Sequence, residues 1–394
     1  MEKYLNINRT ERFENADAVS CNYLEDAMAF VLKRIDKNMD IFINSFPLDH
    51  SENNVYTATD NSNWTTGFWP GLLWLAYDYT GDDKYRHRGE HLITSFRERF
   101  DNAVAIDNHD LGFLYTLSCV APYKLTGNRE AADLAVKAAY HLLGRYRSNG
   151  KFILAWGSIN TPDNPRGNRM IIDCMMNLPL LYWASSYTGN SRFAEIAHTH
   201  ADTSLEFFFR NDSSTHHTFF FDYYTGKPIR GEQHQGYDDN SCWARGQAWA
   251  AYGYALSYSH THKHEYLAAS VNAVNYFLNH IPEDDLCYYD LCFMAGNEPR
   301  DSSANALVCC AILELLKHLP VSNSLCDIYR AAAARLMRSL TEKYTTRDIP
   351  DSNGILKLGT VAKPPRPSNE CTIYGDYYYF EALLRMYKSW HSYW

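Results

Sequence analysis

Most of the marks that place a chain in a familiar class are missing here. The first twenty residues, MEKYLNINRTERFENADAVS, lack the apolar stretch of a secretory signal, and no later run of about 18 apolar residues could span a bilayer. Basic residues are outnumbered, 37 against 46 acidic, for a formal net charge of −9. That sign repels phosphate backbones and anionic lipid, so neither nucleic acid nor membrane is an expected partner. Cysteine pairs are missing too: the ten cysteines are scattered, include the neighbours Cys309 and Cys310, and form no CxxC. They read as thiols of a reducing compartment, and the expectation is a cytoplasmic protein. No HExxH, GxSxG, Walker loop or GxGxxG occurs, which weakens metalloprotease, serine hydrolase, nucleotide hydrolase and dinucleotide oxidoreductase readings. Neither a metal nor an organic cofactor is expected. With 14 Pro, 20 Gly and 46% apolar residues in 394, the composition is that of a globular chain with a large core.

Aromatic residues are in excess instead, at 30 Tyr, 19 Phe and 9 Trp, and they fall in a repeat. Thr-Gly followed by Asp or Asn recurs at Thr80-Gly81-Asp82, Thr126-Gly127-Asn128 and Thr188-Gly189-Asn190. Each copy follows an aromatic-rich apolar helix and precedes a more polar one. Glycine supplies the left-handed stop after a helix, and the polar residue beyond it can start the next. Each unit therefore reads as a helical hairpin. First helices begin near Trp64, Asp110, Asp173 and Arg245, the fourth ending at Ser259-His260-Thr261. Two looser segments run from Ser303 to His318 and from Asp376 to Trp390. Second helices are expected over 84–99, 129–146, 191–210, 264–280 and 325–343, and a helix near 22–44 can pair with the last segment. Twelve helices in six hairpins make an all-α fold, an (α/α)6 barrel with apolar helices inside and amphipathic helices outside. It would fill residues 1–394 as one domain, with 1–20 as an N-terminal extension; a two-domain helical bundle is the alternative.

Spacing turns this fold into a site. Trp64 lies 17 residues before Gly81, Asp110 17 before Gly127, Asp173 16 before Gly189, and Arg245 16 before Thr261. At ~1.5 Å per residue each sits roughly 24–26 Å from its turn. If the turns share one end of the ring, these four residues share the opposite mouth. Helix N-termini gathered there favour an anionic ligand. The longer gaps between repeats put loops on the same side: 147–170, with Trp156, and 211–243, with His216, His217, Gln233 and Gln235.

His109-Asp110 and Asp173 supply the candidate acid/base pair. Asp110 precedes Leu111-Gly112-Phe113, and Asp173 lies inside Met170-Ile171-Ile172-Asp173-Cys174-Met175-Met176. A carboxyl in such surroundings is costly to ionise, and a second carboxylate nearby raises its pKa further, giving an acid able to donate a proton near neutral pH. Helix capping by either aspartate is the competing reading. Trp243, Arg245 and Trp249 stand at the next entrance, where a planar guanidinium suits a carboxylate and indole faces suit sugar rings. Trp249 taken alone reads as core before it reads as contact. Asp238-Asp239-Asn240 lacks the ligand spacing and glycine of an EF-hand and reads as a cap or loop, and His260, His262 and His264 read as solvated turn residues.

Six blocks then carry a resemblance: NWTTGFWPG from Asn63, HDLGF from His109, RMIIDCMMNLP from Arg169, QGY from Gln235, SCWARGQAW from Ser241 and YGDYYYFEA from Tyr374. In order, over almost the whole chain, they resemble the unsaturated glucuronyl hydrolases, glycoside hydrolase family eighty-eight. The resemblance implies an (α/α)6 barrel that removes a 4,5-unsaturated uronic acid from the non-reducing end of glycosaminoglycan oligosaccharides left by lyases, of hyaluronan, chondroitin or heparin type. It also implies hydration of the C4=C5 enol ether rather than direct displacement at the glycosidic carbon. Asp173 matches the family's general acid/base, and Asp110 the second essential aspartate. His217 and Gln235 match positions near the water and the ring, although His216 leaves a one-residue ambiguity. Trp64, His109, Trp156, Trp243, Arg245 and Trp249 match the substrate pocket. The implied partner is an unsaturated uronate oligosaccharide, bound by a monomer or weak homodimer.

One block departs from the pattern. Members that prefer sulfated fragments are similar to one another in a Ser-x-x-Ser-x-Lys stretch, where this chain reads VAKPPRPSNE from Val361. Lys363 or Arg366 contacting sulfate and a solvated basic loop both fit. Three other functions stay open: an unsaturated rhamnogalacturonyl hydrolase acting on pectin fragments, an ordinary inverting glycosidase with carboxyls ~6.5–9.5 Å apart, and a non-catalytic helical-repeat binding scaffold.

Overall fold

A computed structural model describes residues 4–14, 18–161 and 167–394 of the chain. Residues 1–3 and 15–17 of the expected extension, and 162–166 of the expected loop, lie outside it. Six inner helices are α2 (Phe68–Thr80), α4 (Leu111–Tyr115, Thr116–Val120 and Ala121–Thr126), α6 (Leu178–Thr188), α8 (Ala244–Thr261), α10 (Ser302–Leu315) and α12 (Ile373–Tyr387). Six outer helices are α1 (Cys21–Ile41), α3 (Asp83–Asp101), α5 (Arg129–Gly144), α7 (Ser191–Phe208), α9 (His264–Asn279) and α11 (Leu325–Lys343). Every residue of α8 from Ala244 to Ser257 is buried, as is every residue of α12 from Ile373 to Arg385. A helix apolar all round is stable only when neighbours enclose it. The outer helices bury one stripe each, as Leu134, Ala135, Ala138 and Leu142 do in α5.

The ring closes where α12 packs against both α2 and α1, which makes it an (α/α)6 barrel. The repeated turns explain the hairpins. Gly81, Gly127 and Gly189 take φ of 68°, 75° and 74°, and the side chains of Asp82, Asn128 and Asn190 cap the helices that follow. In each copy the threonine hydroxyl donates to the carbonyl four residues back, at 2.7–2.8 Å. The fourth turn has no glycine, and His262 adopts φ of 54° in its place.

Contacts round the ring fix the direction of the inner helices. At one end, Lys388 after α12 reaches Asp78 of α2 at 2.7 Å, and Ser259 of α8 reaches His318 beyond α10 at 2.7 Å. At the other, Asn177 before α6 bonds Phe113 of α4, Arg245 of α8 pairs with Asp301 before α10, and Trp64 stacks on Tyr374 of α12. All six inner N-termini therefore meet at one mouth. The opposite end is filled by Arg385, which binds Glu381 at 2.9 Å and Glu314 at 2.7 Å, with the Trp394 indole donating to Glu381 at 2.9 Å.

Two features differ from the sequence reading. The helix expected to run unbroken from Asp110 contains a π turn over Thr116–Val120, where Ala121 N–H reaches back five residues to Thr116. Pro122 offers no N–H and its ring crowds the carbonyl four residues back, so the turn widens. The helices expected to begin near Trp64 and Asp173 begin at Phe68 and Leu178, with Asp173 in a 3-10 turn over Ile172–Met176. Both inserted loops meet in a small antiparallel sheet of β1 (Arg169–Ile171), β2 (Thr218–Phe221) and β3 (Pro228–Glu232), in which Ile171 faces Thr218.

Replacing His262 by glycine should stabilise the protein by about 1 kcal/mol, because the left-handed conformation costs a Cβ-bearing residue roughly that much. A rise in the urea or thermal unfolding midpoint, with activity unchanged, is the expected result.

Candidate active site

Two carboxyls face each other across the mouth. Asp110 is the residue before α4 and Asp173 lies in the turn that leads from β1 into α6. They are 7% and 8% exposed, so neither is free to shed its burial cost into water. Burial and the charge of Asp173 push Asp110 up to about 8, while the Trp156 indole, a donor to its carboxyl, acts in the opposite sense. Burial pushes Asp173 up to about 7 against the pull of Arg245. A pair with such values holds and releases a proton near neutrality.

Two buried histidines flank the pair. His109 Nε2 lies 3.5 Å from Asp110 Oδ1, and His217 Nε2 lies 3.7 Å from Asp173 Oδ1. Both imidazoles are held well below their ordinary pKa, chiefly by burial, and are neutral. Gln235 donates its backbone N–H to His217 Nδ1 at 3.2 Å. That leaves the ring proton on Nε2, facing a carboxyl oxygen of Asp173 that has no hydrogen-bond partner among the described residues. The β1–β2 pairing sets this approach, since Ile172 N–H donates to the His217 carbonyl at 3.0 Å. The neighbouring His216 turns away instead, its Nδ1 lying 3.0 Å from Arg210 Nη2. Of the two histidines, His217 is the one that lies beside Asp173.

The remaining expected residues divide by exposure. Trp64 and Trp156 are half-buried and offer ring faces at the mouth, Trp156 beneath the guanidinium of Arg169 at 4.7 Å. Trp243 and Trp249 are 1% and 0% exposed. Trp243 packs on His217, with ring centres 4.5 Å apart, and Trp249 on Phe113, at 5.2 Å. They shape the wall and floor rather than present open stacking faces. Arg245 is 2% exposed and its fork already holds a carboxylate: Nη1 lies 2.6 Å from Asp301 Oδ2 and 2.6 Å from the Thr360 carbonyl. Nη2 donates to the Val361 carbonyl and to Gln235 Oε1. The fork that the sequence suggests for a ligand carboxylate is thus engaged by the protein, and Arg245 ties α8, α10 and the 359–361 wall together.

Asp238 and Asp239 behave as the loop residues expected of them, accepting from the backbone N–H groups of Asn240 and Gln233 at 2.9 Å. Lys363 and Arg366 are exposed and line, with Asp49, Trp64, His234 and Gln235, a cavity of about 380 Å³.

Three contributors were not singled out from sequence. Asp301 begins α10 and is fully buried against Arg245; the signal was an Asp-Ser-Ser cap before an apolar run. Tyr374 stacks on Trp64 and lies 4.8 Å under the Arg245 guanidinium, a placement that only the closed ring creates. Asn177 links the two aspartate-bearing segments; its signal was a lone amide within MIIDCMMNLPL.

The chain matches the family model of Glycosyl Hydrolase Family 88 over residues 35–379. It is 41% identical over 390 residues to an unsaturated chondroitin disaccharide hydrolase of Streptococcus pneumoniae, covering 98% of each chain. It is 40% identical to an unsaturated glucuronyl hydrolase of Bacillus sp., over 91% of this chain and 95% of that one. Among solved structures, the unsaturated glucuronyl hydrolase of Streptococcus agalactiae superposes with a TM-score of 0.96 at 40% identity, covering 100% of this chain and 98% of that one. A variant of that enzyme in complex with dGlcA-GalNAc6S gives a TM-score of 0.89 at 38% identity, with the same coverage.

Arg245→Ala should lower the unfolding free energy by roughly 3–5 kcal/mol, because Asp301 would be left buried and unpaired. Denaturant unfolding checks this; a loss below about 1 kcal/mol, the scale of an exposed pair, would contradict the buried-pair reading.

Proposed function

The chain belongs to Glycosyl Hydrolase Family 88, and from that premise we propose how its mouth carries out the reaction. The protein is an unsaturated glucuronyl hydrolase acting on glycosaminoglycan fragments. Its substrate carries a 4,5-unsaturated uronic acid at the non-reducing end, joined to an amino sugar or longer oligosaccharide. In our reading the uronate ring stacks between the half-buried faces of Trp64 and Trp156, with its reacting edge toward Asp110 and Asp173.

Asp173 in its acid form gives its proton to C4 of the enol ether, leaving positive charge shared between C5 and the ring oxygen. The carboxylate so formed takes a proton from a water whose oxygen bonds to C5. The neutral His217 at 3.7 Å from Asp173 orients that water through its Nε2–H. The product is a hemiketal at C5. Its ring opens to a C5 ketone and frees a hydroxyl on C1, so that C1 becomes an open-chain hemiacetal. That hemiacetal collapses to an aldehyde and releases the aglycone with its glycosidic oxygen. One group both gives and takes the proton, and the route calls for no electron donor or acceptor.

The observation that carries this reading is the buried Asp110–Asp173 pair with carboxyl pKa values raised to about 8 and about 7. Raised pKa alone does not make a catalytic acid. Asp376 is likewise pushed up to about 7, yet it accepts from Tyr56 Oη and from the N–H groups of Ile355 and Leu356 at 2.8–3.0 Å. It anchors a loop, whereas Asp173 keeps at the mouth an oxygen without a partner among the described residues.

The test follows the ultraviolet absorbance of the conjugated uronate during turnover of unsaturated chondroitin, hyaluronan and rhamnogalacturonan disaccharides. Absorbance should fall with the glycosaminoglycan disaccharides and release the amino sugar; loss with the pectin fragment alone would overturn the reading. Asp173→Asn should lower kcat by on the order of 10²–10⁴, the usual worth of a positioned proton donor, with substrate binding retained. The two carboxyls titrate as one pair whose working form holds a single shared proton, delivered through Asp173. The pH profile of kcat/KM should therefore show limbs near pH 7 and pH 8, where the pair gains its second proton and loses its last.

We also propose that Lys363 and Arg366, at the rim of the 380 Å³ cavity, face a sulfate on the second sugar. Exposed charges are worth about 0–1 kcal/mol each. The double change Lys363→Ala with Arg366→Ala should therefore raise KM for a 6-sulfated disaccharide by no more than about thirtyfold. The unsulfated substrate should be unaffected, and the difference should shrink as salt is added.

A further inference from the structure

An aspartate immediately before a helix normally folds its carboxyl back onto the N–H groups of that helix's first turn. Asp110 occupies this position before α4 and makes no such bond. One of the two donors it could use, the N–H of Phe113, instead donates to Oδ1 of Asn177 at 2.8 Å. Asn177 comes from the start of α6, is 0% exposed, and donates from Nδ2 to the Asp173 carbonyl at 3.2 Å. A Cβ on Gly112 would stand 2.3 Å from the Asn177 Cα, so only glycine there admits so close an approach.

We propose that Asn177 is a positioning residue that caps α4 from the neighbouring repeat, thereby keeping the Asp110 carboxyl in the pocket while holding the Asp173 backbone in register. One amide thus serves both aspartates. With that donor occupied, Asp110 makes no bond to its own helix and turns to Trp156, His109 and the space shared with Asp173. Denial of a backbone hydrogen bond also removes the contact that would favour its ionised form. The same side chain accounts for the proton-holding state of Asp110 and for the fixed distance between the two segments. The inference rests on the reading of Asp110 and Asp173 as the reacting pair.

The test compares Asn177→Ala, Asn177→Ser and Asn177→Asp in the full chain, with Asp110→Asn alone and combined with Asn177→Ala. Alanine frees the Phe113 N–H, so Asp110 should swing onto its own helix. kcat should fall by on the order of 10², the scale of a 1 Å misplacement, and the alkaline limb of kcat/KM should move down by about one pH unit. Serine, too short to reach Phe113, carries the same expectation should the alanine variant not fold. Aspartate keeps the acceptor for Phe113 N–H, so the alkaline limb should stay or rise even though the bond to Asp173 is lost. In the Asp110→Asn background, Asn177→Ala should change kcat by less than the single change does. A merely structural role would give the same unshifted limb in every variant, with activity following the unfolding midpoint, and would overturn the proposal. Full activity of Asp110→Asn by itself would instead overturn the assignment of the pair, a result distinct from any outcome at Asn177.

Discussion

Two carboxyl groups sit out of water at the end of a ring where six helix N-termini converge, and the surrounding polar contacts are arranged so that neither meets a full counter-charge: Asp110 has the Trp156 indole, and Asp173 only the distant pull of Arg245. Phe113 N–H is taken by Asn177, His217 Nδ1 by Gln235, and the Arg245 fork by Asp301 and two carbonyls. Among the described residues, a carboxyl oxygen of Asp173 and the Nε2 of His217 that faces it are left without a hydrogen-bond partner, as is Nδ1 of His109. Buried groups left unpaired cost free energy, and here the cost falls on the atoms that would meet water and sugar.

The ring can carry that cost because its other end is saturated. Arg385, Glu381, Glu314 and Trp394 pair among themselves at the closed end, and Lys388 and Asp78 tie α12 to α2. Inner helices that are apolar on every side cannot be held by solvent contacts; they are fixed by one another and by these end networks. The mouth gains rigidity without any of its own reactive groups being used as braces, apart from Arg245, whose charge steadies the wall and still pulls on Asp173.

The relation to known enzymes follows the same lines. Relatives near 40% identity that share the whole length of the chain have a barrel that superposes on this one. The rim at Lys363 and Arg366, where the sequence departs from the Ser-x-x-Ser-x-Lys pattern, borders a cavity outside the carboxyl pair. On the proposed sulfate reading, reaction chemistry and choice of second sugar lie on different loops, so one can vary without disturbing the other.

The sequence by itself determined the repeat, because Thr-Gly-Asp/Asn turns, a left-handed glycine and a capping side chain are local physics that each hairpin obeys alone. It also determined that aspartates, tryptophans and an arginine lie one helix length from those turns, and so at one mouth. Its expectation of an unbroken helix after Asp110 failed at Pro122, whose missing N–H was legible but whose remedy, a π turn, depends on what packs around it. Only tertiary structure chose His217 over His216, since the choice rests on strand pairing between two loops distant in sequence. Only tertiary structure filled the Arg245 fork with Asp301, 56 positions away, and gave the cap of Asp110 to Asn177, 64 positions from the N–H it binds. A side chain's type and its distance from a turn are written locally; which partner reaches it first is settled when the ring closes.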